Sequence, residues 1–200
     1  MKEKEVSRSY KKVGSVSKVK IVGIIGSRNL PISQAEKVGE VTEYLISKNY
    51  HIATGGAIGA DQYCIERLLR LGVPDQATIY APWQFFYGFP TKVNAMVRQF
   101  SKYGGNIVWG LATGNEPYFQ IKLALLKRNV NLVEVSYGVV AFITAQAKGS
   151  IFTIKQSAKR KQQIVVFPLN CELPNIKNVK WVALRCGGCW EGSFRSVYLK

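Results

Sequence analysis

Two short apolar runs, each ending in glycines, constrain this chain more than any other feature. Residues 21–28 read IVGIIGSR, and residues 50–61 read YHIATGGAIGAD. Each run has the length of a buried strand and leads into a segment with the apolar spacing of a helix. Two such strand–glycine loop–helix units in succession predict a parallel α/β sheet. They also predict a phosphate-sized pocket at the carboxyl edge of the strands.

The same alternation of strand and helix continues to residue 167. We predict strands over 18–26, 51–54, 77–81, 106–110, 139–144 and 164–167. We predict helices over 33–48, 61–71, 91–102, 117–135 and 151–161. The first helix begins with Ser33 and Glu36, which have the spacing of a capping box. Strands separated by helices of ten or more residues form parallel pairs with right-handed crossovers. The predicted fold class is therefore α/β, a Rossmann-like three-layer domain with a mainly parallel sheet.

The last thirty residues follow a different pattern. Residues 179–185 and 194–199 are typical of strands, joined across a Cys-Gly-Gly-Cys-Trp-Glu-Gly segment, and predict a small C-terminal β-hairpin. We therefore expect three parts: a basic flexible arm over 1–17, the main domain over 18–169 and a β extension over 170–200.

The positive charge is concentrated at the two ends of the chain. The formal net charge is +16; residues 1–20 carry seven Lys and Arg against two Glu, and residues 151–200 carry nine against two. Basic ends on a nearly neutral centre favour a polyanionic partner such as nucleic acid. The alternatives are a solubilising surface or the high lysine content of a heat-adapted protein.

Other classes of protein fit the sequence poorly. No stretch approaches the ~20 apolar residues of a membrane span, and the first residues lack the apolar core of a secretory signal. Four cysteines do not make a dense disulfide framework. We expect a cytoplasmic protein with no membrane contact.

Three glycine-bearing loops are predicted to meet at one edge of the sheet. Arg28 follows the first strand, where its guanidinium could hold two phosphate oxygens, and the Gly55–Gly59 loop could direct backbone N–H groups into the same crevice. Gly149 and Ser150 form a similar turn at a helix start, flanked by Lys148 and Arg128. A single loop of this kind usually only permits a tight turn, but three at one edge favour an anion site.

Asp61 closes the second glycine loop and has three possible roles. It could be a general base, a ligand of a ribose hydroxyl or the N-cap of the second helix. Asp is a preferred N-cap residue and the apolar stripe begins directly after it, so the helix cap is favoured.

Aromatic and metal-binding side chains give weaker indications. The five rings between Trp83 and Phe89 could stack bases, although packing is expected for most of them. Cys186 and Cys189 have the spacing of half a zinc site, and Cys171 could be a third ligand, but a fourth is missing. We expect free thiols or a labile disulfide, with no bound metal and no cofactor. The single histidine, His51, begins a strand, so no catalytic constellation can be assembled.

Several segments in register resemble the DNA-processing protein A (DprA, or Smf) family. They are Gly26-Ser27-Arg28, Thr54–Asp61, Arg128-Asn129, Gly149-Ser150-Ile151 and Val165–Pro168. The resemblance spans residues 18–168. The sequence departs from the family pattern at Val130 and Ile58, where the family has arginines, and no winged-helix tail is evident.

The resemblance implies that the chain binds single-stranded DNA, forms a homodimer and loads a recombinase. Because no complete catalytic constellation is found, we expect that it is not an enzyme. The alternative is a small-nucleotide receptor, or a nucleotide hydrolase of the Lonely-guy type, using the same pocket. That hydrolase family has a double glycine and a glutamate in a loop whose counterpart here, residues 146–153, has neither. The expected phosphate- or nucleic-acid-binding residues are Gly26, Ser27, Arg28, Gly55, Gly56, Gly59, Arg128, Asn129, Lys148, Gly149 and Ser150.

Overall fold

The computed structural model describes residues 19–199, which form one sheet packed between helices. The strands of this region are β1 (Ile21–Gly26), β2 (His51–Thr54), β3 (Ala77–Tyr80), β4 (Asn106–Val108), β5 (Gly138–Ile143), β6 (Gln163–Pro168), β7 (Val179–Ala183) and β8 (Phe194–Tyr198). Its α-helices are α1 (Ala35–Ser47), α2 (Ala60–Leu71), α3 (Thr91–Lys102), α4 (Tyr118–Val135) and α5 (Lys148–Lys159). The predicted arm over 1–17 lies outside the described residues.

The strand order confirms the predicted α/β fold. The sheet runs β4-β3-β2-β1-β5-β6-β8-β7, and β1 to β6 are all parallel to one another. The chain winds outward from β1 to β4 and then returns to place β5 on the other side of β1. The direction of winding therefore reverses between β1 and β5, and their carboxyl ends border the point where α/β sheets bind ligands.

Side chains of the central strands alternate between the two faces of the sheet, so the core has two layers, one on each face. Ile24 lies among the buried side chains of α1, α2 and α3, whereas the next residue, Ile25, packs with those of α4 and α5. The same change of face separates Phe142 from Ala141 and Ile143 in β5. Because side chains of a strand alternate between faces, an apolar run without polar interruption is buried on both sides.

The C-terminal hairpin is confirmed, and it also extends the main sheet. β8 pairs antiparallel with β6 through Val165 opposite Arg195 and Val166 opposite Phe194, and β7 pairs antiparallel with β8. The division of the chain into a main domain and an extension stays a prediction.

The turn between β7 and β8 packs back on the domain through Trp190. Its ring lies 6.2 Å from that of Phe167, which stacks on Phe142 at 4.6 Å, and the edge of Tyr44 in α1 meets the same indole. The last segment of the chain is thereby joined to its first helix.

Two local predictions differ from the structure. The capping box is wrong: Ser33 lies in a short 3-10 turn, α1 begins at Ala35, and its N-cap Gln34 makes no side-chain cap bond. Glu36 pairs instead with Arg67 of α2, whose guanidinium lies against Gly39 of α1. The fifth helix begins three residues earlier than predicted, at Lys148, so Gly149 and Ser150 belong to its first turn.

None of the helices in the described part of the chain is both long and apolar enough to cross a membrane.

Candidate nucleic-acid interface

The candidate site is the crevice at the carboxyl ends of β1 and β5. The loop after β1 leads to α1 on one face of the sheet, and the loop after β5 leads to α5 on the other. Two loops that leave in opposite directions open a space between them. We call this space the β1/β5 crevice.

Ser27 ties the two walls of the crevice together. Its amide N–H donates to the carbonyl of Phe142 at 2.9 Å, and its hydroxyl accepts a hydrogen bond from the amide of Thr144 at 2.8 Å. The Thr144 hydroxyl lies 3.1 Å from both the Ser27 hydroxyl and the side-chain oxygen of Asn29. Ser27 is itself buried. Its hydroxyl therefore fixes the loop geometry, and its predicted role in holding a ligand stays a prediction.

Arg28 is the exposed cation of the crevice wall. It follows Ser27 in an exposed turn, and among residues 19–199 no carboxylate lies within 4.0 Å of its guanidinium. A planar guanidinium without a partner can form two parallel hydrogen bonds to a phosphate group.

The first turn of α5 forms the opposite wall. Lys148 and Gly149 are exposed, and a Cβ atom at Gly149 would meet no atom within 4 Å. Amides in the first turn of a helix have no acceptor within the helix, and the helix dipole adds positive potential there. The N-cap residue Ala147 provides no side-chain cap. Lys148 and the amide of Gly149 are thus suited to an anion, whereas Ser150 is buried.

The glycine loop after β2 is arranged differently from the prediction. Gly59 has a φ of +91°, and a Cβ there would lie 2.1 Å from the carbonyl oxygen of Ser27, so glycine permits the two loops to touch. Gly56 packs on the ring of Phe89, and Gly26 packs on Ala60, where a Cβ at Gly26 would lie 2.5 Å from the Cβ of Ala60. These glycines allow close packing of loops and helix.

Asp61 is not the N-cap of α2. Gly59 occupies that position without a side-chain cap, and Asp61 lies in the first turn. Its buried carboxylate accepts hydrogen bonds from the amides of Gly55 at 3.1 Å and Ala57 at 3.2 Å. The side chain thus turns two loop amides toward Oδ2, which removes them as anion donors.

Arg128 is the buried partner of Asp61. Its Nη1 lies 3.6 Å from Oδ2 of Asp61, and a Cβ at Gly55 would lie only 1.1 Å from that nitrogen. Burial raises the pKa of the Asp61 carboxyl, while the Arg128 guanidinium and the two amides oppose the rise. The side chain supports the glycine loop from beneath, and its predicted place beside a phosphate pocket stays a prediction. Asn129 is half-buried beside it.

The remaining candidate residues lie apart from the crevice. Nε2 of His51 pairs with the Thr78 hydroxyl at 2.8 Å at the start of β2, and burial lowers the pKa of its imidazole. The thiol of Cys171 donates to the carbonyl of Ile143, and Cys186 and Cys189 are free thiols. Within residues 19–199, no three His, Cys, Asp or Glu side chains could hold a metal ion together.

Thr144 and Asn29 are the site residues that sequence reasoning missed. Thr144 directly follows the apolar run of β5, as Ser27 follows that of β1. β1 and β5 are neighbours only because the direction of winding reverses between them. The contact between Ser27 and Thr144 could therefore be predicted only once the strand order was known.

Known structures share this fold. DNA processing protein A from Helicobacter pylori, described with its mode of binding single-stranded DNA, is 21% identical with a TM-score of 0.62, over 76% of this chain and 66% of that one. DNA processing protein A from Streptococcus pneumoniae is 20% identical with a TM-score of 0.60, over 78% of this chain and 52% of that one. A molybdenum cofactor binding protein from Rippkaea orientalis is 12% identical with a TM-score of 0.54, over 76% and 78%.

This chain thus spans about two thirds of the Helicobacter protein and about half of the Streptococcus protein. No curated protein matches the sequence. The family model of the DNA recombination-mediator protein A matches residues 11–182, which is most of the chain. The chain belongs to the DNA recombination-mediator protein A family.

Proposed function

We propose that this protein binds single-stranded DNA in the β1/β5 crevice and acts as a recombination mediator. The observation that carries the proposal is the exposed guanidinium of Arg28, which has no carboxylate within 4.0 Å in the described region and follows β1 at the switch point of the sheet. Family membership supports nucleic acid as the anion that occupies the crevice.

The electrostatics of the whole chain support the same ligand. With a net charge of +16, the protein attracts polyanions of any sequence, and this attraction weakens as salt rises because counterions are released on binding. Such contacts add to the affinity for DNA but do not fix where its backbone lies on the protein. Arg28 and Lys148 supply position, because the hydrogen bonds between Ser27 and Thr144 tie the loop that carries Arg28 to the loop that leads to Lys148.

We also infer that the role is binding and not catalysis. Asp61 is buried and its Oδ2 accepts from two amides of the glycine loop, while the only histidine lies at the opposite end of β2. A general acid or base must reach the proton it transfers, and these two groups do not share a surface.

Self-association is part of the proposal. The first turns of α4 expose apolar side chains, with Tyr118 80% and Phe119 64% exposed and Leu123 half exposed. Contiguous exposed apolar groups are typical of interaction sites, and a second copy of the chain would cover them. Recombinase loading rests on the family resemblance alone, and a cytoplasmic location rests on the first residues and the cysteine content of the sequence.

The test is fluorescence anisotropy with a labelled oligo-dT at two salt concentrations. Arg28→Ala should weaken binding by about 1–3 kcal/mol, the size of a charge-assisted hydrogen bond. The matched control is Arg70→Ala, which removes the same charge from the exposed last turn of α2, at the other end of the sheet. Deletion of residues 1–17 should mainly flatten the salt dependence.

Two outcomes would contradict the proposal. The first is an Arg28→Ala protein that binds like the Arg70→Ala control, which would place the DNA elsewhere. The second is wild-type protein that does not bind oligo-dT at low salt, but whose melting temperature rises strongly when a nucleoside monophosphate is added. Since a ligand raises stability only by binding the native state, that result would favour a small-nucleotide receptor.

A further inference from the structure

Two aromatic rings of the loop between β3 and α3 lie exposed. Phe85 is 52% and Tyr87 61% exposed, and their rings stack with centroids 5.4 Å apart and planes inclined by 28°. The other rings of this loop pack on the protein, as expected for most of the five: Phe89 is buried, and Trp83 and Phe86 are half-buried. We call Phe85 and Tyr87 the aromatic shelf.

The backbone beneath the aromatic shelf is held in place from several sides. The side-chain amide of Asn94 donates to the carbonyl of Phe86, whose ring meets the edge of Trp109 at 4.9 Å. Phe89 packs against Gly56 of the glycine loop. The shelf is therefore preorganised, which lowers the entropic cost of placing a ligand on it.

A helix whose charged residues are all basic follows the loop of the aromatic shelf. Helix α3, which follows the loop, carries Lys92, Arg98 and Lys102 and no acidic residue. The Arg98 guanidinium lies 4.7 Å from the centroid of the Phe86 ring. Exposed rings beside a basic helix match a single-stranded nucleic acid, whose bases stack on the rings while its phosphates meet the cations. An apolar protein partner would leave these cations without counter-charge.

The aromatic shelf and the β1/β5 crevice lie at the same edge of the sheet. The loop leaves the carboxyl end of β3, which is two strands from β1. With strands about 4.8 Å apart, the carboxyl ends of β3 and β1 are roughly 10 Å apart across the sheet. We infer that Phe85 and Tyr87 stack bases of the same single-stranded DNA whose backbone is held at Arg28. This inference rests on the proposed function and adds to it a contact with the bases.

The experiment compares two ligands and two variants. Phe85→Ala/Tyr87→Ala removes both rings, and Phe85→Tyr/Tyr87→Phe keeps both rings at the same sites. Each is titrated with oligo-dT and with an abasic oligonucleotide of the same length and label. The ring-deleted variant should bind oligo-dT about five- to 100-fold more weakly than wild type, since stacking is lost, and the abasic strand equally well. The ring-retaining variant should bind both strands like wild type.

Other outcomes would overturn the inference in distinguishable ways. If wild type binds both strands equally, the shelf does not stack bases, while the proposed function stands. If the ring-deleted variant loses both ligands equally, the rings support the fold or the charge of the site. If it changes from dimer to monomer in sedimentation, the shelf is a protein interface. If wild type binds neither strand, the proposed function fails, and this inference with it.

Discussion

The buried pair of Asp61 and Arg128 predicts a large, pH-dependent loss of stability when one partner is removed. Both side chains are at least nine-tenths buried, and Nη1 lies 3.6 Å from Oδ2. At that separation, with an effective dielectric constant of about 20, the attraction is roughly 4–5 kcal/mol. Arg128→Met removes it and leaves a buried carboxylate whose remaining partners are two amide donors.

We expect Arg128→Met to lower the free energy of unfolding by about 3 kcal/mol at pH 7, at the lower end of the range for breaking a buried pair, because the amides remain. Asp61→Asn/Arg128→Met should recover at least about 1 kcal/mol of that loss, since no charge is then buried. The matched control is Arg160→Met, which breaks a pair with Glu134 whose side chains are both about half exposed; it should cost less than about 1 kcal/mol.

The sign of the pH dependence follows from the burial of Asp61. Burial raises the pKa of this carboxyl, and removal of Arg128 takes away the main influence that opposes the rise. A group whose folded-state pKa lies above its unfolded value costs least stability below the unfolded pKa and most above the folded one. The deficit of Arg128→Met should therefore shrink as the pH falls from 7 toward the ordinary range of a carboxyl group.

Urea unfolding followed by circular dichroism at several pH values measures these quantities, with the slopes compared to detect changes in the unfolded state. The reasoning would be refuted by an Arg128→Met protein as stable as Arg160→Met. It would be refuted equally by a deficit that grows in acid.

Two further predictions concern single ionisable groups. Cys64 is fully buried, and burial raises the pKa of its thiol to about 12. Iodoacetamide should therefore label the exposed Cys186 in the native protein and Cys64 only after unfolding, as measured by mass spectrometry. Equal labelling rates for the two thiols in the native protein would contradict this. Hydrogen bonds from the backbone of Thr113 and, more weakly, Gly114 lower the pKa of Glu116 to about 2. The Thr113–Glu116 turn should thus be favoured above the ordinary carboxyl pKa and lost only as the pH falls through about 2, which a carboxyl NMR titration would show; a midpoint near 4.5 would count against it.

The strands of the sheet could be predicted because the pattern that identifies each one lies within a few neighbouring residues of the sequence. Each of the apolar runs in β1, β2, β3, β5 and β6 is bounded by glycine, proline or polar residues and separated from the next by a helix. Hydrophobic periodicity and turn chemistry act over neighbouring residues, so they identify elements from sequence alone. The capping box failed because Glu36 pairs with Arg67, a residue of another helix, and not with its own helix terminus.

The site was predictable only in outline. Glycine spacing located the loops, but the direction of each N–H group depends on Asp61, whose carboxylate lies between two of them. The pairing of Asp61 with Arg128 joins positions 67 residues apart, which no local pattern reports. One local indication existed: Arg128 lies four residues before Leu132, which is buried, so helical spacing places both on the same face of α4.

The central position of β1 has a consequence for how the protein is made. β1 pairs with β2 over a separation of about thirty residues, but with β5 through partners such as Val22 and Gly138, more than a hundred residues later. During synthesis, one hydrogen-bonding edge of β1 therefore stays bare until β5 has left the ribosome. Bare edges of apolar strands pair readily with other chains, and non-local pairings form slowly. The nascent first half of this protein is accordingly the stage at which it most needs protection from aggregation, and the arrival of β5, which also completes the β1/β5 crevice, ends that exposure.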